Sequence, residues 1–79
     1  MEHEVKILEQ YANKNNEGKK PWELRKNDRN YKVGDWIRFH IIDDETKEPT
    51  GFSYRRKITY LFEGGEYGLE KGFCIMTVE

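Results

Sequence analysis

The chain has 79 residues, of which 37% are charged and only 35% hydrophobic, and its net charge is −1. That length holds one domain over residues 1–79 with a thin core, burying roughly 60% of the unfolded chain's surface. A single cysteine, Cys74, excludes an internal disulfide, and no apolar run approaches the ~20 residues of a membrane span. No signal peptide opens the chain, so the expected location is the reducing cytoplasm. Eleven aromatic residues, 14% of the chain, argue against disorder because they can fill a compact core.

Residues 3–8 alternate polar and apolar, as a short half-buried strand does. Residues 9–16 lack strand formers and read as a short helix, ended by the Asn15-Asn16 pair and Gly18. Residues 22–25 alternate again, with Trp22 and Leu24 on one face, expected inward, and Glu23 and Arg25 on the other. Residues 27–30 and 33–35 carry turn chemistry. In residues 36–42, Ile37, Phe39 and Ile41 are predicted to face the core, leaving Trp36, Arg38 and His40 outside.

Residues 43–51 read as a polar hairpin loop with Pro49 and Gly51 as breakers. Residues 54–62 are the longest strand candidate, with Ile58, Tyr60 and Phe62 on one face. Residues 72–78 close the sequence as an apolar strand interior to a sheet, burying an inert Cys74. About five strands and one early helix predict an α+β fold whose small sheet curls into an incomplete barrel, which protects edges that so short a chain cannot otherwise cover.

The near-neutral total hides a polarised distribution. Residues 14–32 carry seven cations against three acids, net +4, whereas residues 33–50 carry two against five, net −3. The run 18–29 packs five cations, two acids, Gly18 and Trp22 into twelve residues. Such a stretch suits an anionic, planar ligand, and RNA is the leading candidate. Arg55, Arg56 and Lys57 form a second basic cluster, read as a solvated strand edge that discourages edge-to-edge pairing. His3 and His40 have no third ligand nearby in sequence, and the acids at 43–45 lack the spacing of a calcium loop, so neither metal nor cofactor is expected.

Gly18, Lys20, Glu23 and Arg25 fall on the pattern G-x-K-x-x-E-x-R. On these residues the chain resembles the ASCH (activating signal cointegrator homology) domain, a relative of the PUA RNA-binding fold. The continuations 25–29 and 31–35, with Thr50-Gly51, Ile58-Thr59-Tyr60 and Tyr67-Gly68-Leu69, resemble a subfamily of very small bacterial and phage ASCH-like proteins. The resemblance implies a PUA-like pseudo-barrel with the motif at the lip of a cleft, and a ligand that is RNA or a modified nucleoside. Some relatives hydrolyse N4-acetylcytidine with a lysine and a threonine. Lys20 matches that lysine, but Glu23 stands in the threonine's place, and a carboxylate replaces a hydroxyl nucleophile poorly.

The leading expectation is therefore a noncatalytic RNA-binding module, treated as a monomer. Lys20, Arg25, Lys26 and Arg29 would meet phosphates, Glu23 would orient them, and Gly18 would let the backbone approach the ligand. Trp36 is the candidate ring for stacking on a base. A second reading makes Lys20 and Glu23 the acid/base pair of an amidohydrolase-like enzyme acting on an N4-acylated cytidine. A third is a protein-interaction role, such as a phage accessory factor. For Glu23 and Arg25 an ion pair that simply braces the barrel stands beside the ligand-binding role.

Overall fold

One strand organises the molecule. In the computed structural model, which describes residues 1–79, β4 (Pro49–Glu63) runs for 15 residues and pairs with a different neighbour along each half. Its first half lies antiparallel to β3 (Trp36–Ile42), and its second half lies antiparallel to β5 (Phe73–Val78). β1 (Glu2–Leu8) adds to β3 in parallel, and β2 (Trp22–Lys26) adds to β5 antiparallel. The strand order is β1-β3-β4-β5-β2, with the short helix α1 (Glu9–Asn16) following β1 directly.

The register shifts between His40 and Ile42 and again between Ile58 and Tyr60, where extra residues bend and twist the ladder. The five-stranded mixed sheet curls without closing, because its two edge strands share no ladder. Across the seam between them, the Arg25 guanidinium on β2 donates through Nη2 to the Lys6 carbonyl of β1 at 2.8 Å. This side-chain bond stands where a closed barrel would have backbone pairs.

The core is small: Val5, Ile7, Ala12, Tyr31, Ile37, Phe39, Ile58, Cys74, Met76 and Val78. The helix occupies its predicted residues and contributes Ala12. β3 buries Ile37 and Phe39 fully and packs Ile41 against them, as its alternation requires. β5 lies between β4 and β2 and buries Cys74, Met76 and Val78. Burial raises the Cys74 thiol above its ordinary pKa. No helix is long and apolar enough to cross a membrane.

Three expectations need correction. β4 begins at Pro49, which pairs with Ile42, so residues 49–51 are strand rather than loop; proline is tolerated at a strand's first position. The bulge after Ile58 reverses the face, so that Leu61 packs on the core while Tyr60 is 62% exposed. In β2 the alternation is right and its direction is reversed: Glu23 is buried, while Trp22 and Leu24 are about half exposed. The cross-strand rows Trp22–Thr77–Tyr60 and Leu24–Ile75–Phe62 consequently form an uncharged outer surface.

Candidate functional site

The site begins at the end of α1. Gly18 adopts φ +78°, its N–H bonds the Asn15 carbonyl at 3.1 Å, and the Lys19 N–H bonds the Lys14 carbonyl at 2.9 Å. This pair of bonds is a Schellman cap, which needs a left-handed residue at that position and so favours glycine. The Lys20 N–H also reaches the Lys14 carbonyl, at 3.1 Å. Asn15, itself buried, donates to the Lys20 carbonyl at 2.8 Å. Arg56 holds the same corner from β4, donating to Asn15 Oδ1 at 3.1 Å and to Asn16 Oδ1 at 2.6 Å. The middle residue of the 55–57 basic cluster is thus a clamp on the helix end, not a solvated charge.

This corner delivers Lys20 to β2, where Glu23 points inward with 3% of its surface exposed. A buried carboxylate without partners costs several kcal/mol. Here each oxygen has one: Lys20 Nζ lies 2.9 Å from Oε1, and Arg25 Nε lies 2.9 Å from Oε2. Arg25 continues to the Lys6 carbonyl, and its guanidinium carbon sits 5.8 Å from the Phe39 ring centroid. Lys20 Nζ also donates to the Trp22 carbonyl at 3.2 Å and lies 4.6 Å from the Trp22 ring and 5.3 Å from the Tyr11 ring. The motif's three charged side chains therefore converge as a brace across the open side of the curled sheet.

The brace does not seal the seam. A cleft of about 610 Å³ opens beside it, between β1 and α1 on one side and β2 on the other. Lys6, Lys20, Arg25, Lys26 and Arg29 face Glu23 and Asp28 around it, so five cations meet two acids and leave a net +3. Lys6, Lys26 and Arg29 take part in none of the fold's ion pairs. Three rings, Tyr11, Trp22 and Tyr31, line the same cleft. Lys20 has one N–H and Arg25 three that these bonds leave free, counting three donors on an ammonium and five on a guanidinium.

Five of the predicted ligand contacts, Lys20, Glu23, Arg25, Lys26 and Arg29, are thus brought together. Gly18 and Trp36 are not. Gly18 shapes the helix end and does not line the cleft. Trp36 opens β3 elsewhere on the sheet, with Arg55 4.2 Å and Lys57 5.8 Å from its ring centroid. Lys6 and Tyr11 escape the sequence reading because they lie outside the motif and arrive through the fold.

Behind the brace, Tyr54 stacks on Phe39 at 5.2 Å, and its hydroxyl is buried without a hydrogen-bond partner. Burial first, and then the nearby Glu23 charge, push its pKa up to about 12.

Residues 2–78 match a family described as Domain of unknown function (DUF3850). The chain belongs to that family. The match runs from the first residue of β1 to the last of β5, so the motif and the whole cleft lie within the DUF3850 domain. None of the curated proteins matches the chain.

Proposed function

We propose that the protein is a cytoplasmic nucleic-acid-binding module, with single-stranded RNA as its preferred ligand, and that its curled sheet is a PUA-like, ASCH-like pseudo-barrel. The observation that carries this reading is the cleft itself: about 610 Å³ with net charge +3, three cations free of ion pairs, and two exposed rings, Tyr11 and Trp22. Binding sites for small organic groups span roughly 300–1,000 Å³, a range that admits a nucleoside. Flat rings offer stacking to an unpaired base, and the cations offer charge-assisted bonds to its phosphate. Glu23 acts as the fixed anion that holds Lys20 and Arg25 pointed at the ligand.

The hydrolytic reading ranks second because both Glu23 oxygens already face a cation within 2.9 Å. A water activated there would have to displace one of them. Turnover of N4-acetylcytidine that disappears in Glu23→Gln would replace binding by catalysis.

The binding reading is tested by tryptophan fluorescence. In a Trp36→Phe protein, Trp22 is the sole indole, and titration with a short single-stranded RNA is expected to quench it. Quenching confined to a Trp22→Phe protein, which reports Trp36, would move the site away from the cleft and overturn the reading.

A further inference from the structure

Three cations of the cleft also line a second hollow. This cavity, of about 620 Å³, lies on the outer side of β1 and β3 and is walled by Glu4, His40, Ile42 and Pro49. Lys6, Arg25 and Arg29 are common to both cavities. The two cavities therefore adjoin along edge strand β1, and together are treated as one groove. The Glu2, Glu4 and Lys6 side chains of that strand alternate outward, and Lys6 sits directly opposite His40 in the β1–β3 register.

The chemistry of the groove changes along its length. At the shared boundary stand one ammonium and two guanidinium groups, of which Lys6 and Arg29 form no ion pair and Arg25 keeps three free N–H donors. On one side are the exposed rings of Tyr11 and Trp22. On the other are the apolar surfaces of Ile42 and Pro49 and the half-exposed imidazole of His40, held by Glu4 at 2.8 Å. An anion flanked by two flat, weakly polar bodies is the pattern of a phosphodiester between two nucleosides. Imidazole, like the larger rings, stacks on bases.

We propose that the recognised unit is a dinucleotide step of single-stranded RNA: one nucleoside in the cleft, the next beside His40 and Pro49, and their linking phosphate at Lys6, Arg25 and Arg29. This rests on the RNA-binding reading of the cleft and adds a second nucleoside subsite to it. A single nucleotide fills only one half of the groove.

The experiment compares pC, pCpC and pCpCpC by calorimetric titration at one low salt concentration. It uses the wild type and a Glu4→Gln/His40→Ala variant, whose replaced side chains form an exposed pair and lie outside the cleft. The expected result is a gain of at least tenfold from pC to pCpC and a much smaller gain from pCpC to pCpCpC. The variant should bind pC as the wild type does and lose most of the pCpC gain. Equal wild-type affinities for pC and pCpC overturn the second subsite and leave the cleft reading standing. A pCpC gain that survives in the variant overturns it as well, by placing the second nucleoside elsewhere. No binding of any of the three overturns both.

Discussion

Glu23→Gln is the substitution that weighs most directly on the brace. Gln keeps the shape of Glu but offers one acceptor oxygen and one amide that donates. With Lys20 and Arg25 each 2.9 Å from a different oxygen, one of the two cations must then face an N–H instead of an acceptor. The loss includes one charge-assisted hydrogen bond, about 1.5–3 kcal/mol. Removing one partner of a fully buried pair costs about 3–5 kcal/mol, but Lys20 and Arg25 keep 18% and 24% side-chain exposure and can partly rehydrate. The expected destabilisation is therefore about 2–3 kcal/mol. A 79-residue domain has about 4–12 kcal/mol in total, and in this size range each kcal/mol lowers Tm by about 4–8 °C. Thermal unfolding followed by circular dichroism at pH 7 should show a drop of about 10–20 °C. A double-mutant cycle with Arg25→Met should give a coupling energy of about 1–3 kcal/mol. A Tm within 2 °C of wild type (roughly half a kcal/mol or less), or no coupling, would refute the claim that Glu23 braces the seam.

Four further expectations test the surroundings. Gly18→Ala should cost about 1–2 kcal/mol from its left-handed backbone alone, since a Cβ there meets nothing within 4 Å, and should leave RNA affinity unchanged. Gly64→Ala should unfold the protein far more readily, because its Cβ would collide with the Glu70 carbonyl; urea melts of the two variants give the order. Removing the orphaned hydroxyl by Tyr54→Phe should leave stability equal or higher, and a loss above about 1 kcal/mol would imply a partner for that group. The hydrogen bond from His3 at 2.7 Å holds the Asp35 carboxyl below the ordinary carboxylate range. Its contribution is complete above the unfolded-state value and disappears as pH falls through the lower folded-state one. Asp35→Asn should accordingly flatten the acid limb of a stability–pH profile, and an unchanged limb would contradict the assignment.

What the sequence discloses depends on how local the deciding physics is. α1 ends where the Asn pair and Gly18 say it does, because a Schellman cap involves only neighbouring residues. β3 follows its alternation because nothing interrupts it along that strand, and β5 lies inside the sheet as its apolar run predicts. β2 defeats the same rule: hydrophobicity favours Trp22 and Leu24 inside, yet Glu23 takes the buried face because cations at positions 20 and 25 reach it there. The reversal along β4 arises from a bulge that no glycine or proline between Ile58 and Tyr60 announces. Four of the cleft's cations lie within residues 20–29 and are legible as a charge cluster. Lys6 and Tyr11 are not, since only the parallel pairing of β1 with β3 and the curl of the sheet bring them opposite β2.

The central claim is that an anionic strand enters the cleft and meets its uncompensated cations. Its most direct measurement is the salt dependence of affinity for a short single-stranded RNA. Three phosphate contacts, one for each of the unpaired Lys6, Lys26 and Arg29, correspond to a slope of log K against log salt near −2, at ~0.7 per contact. Removing Lys26 and Arg29 together, both exposed and unpaired, should flatten that slope to about −0.7 while the protein stays folded. No binding at low salt, or a slope untouched by the double substitution, would contradict the claim.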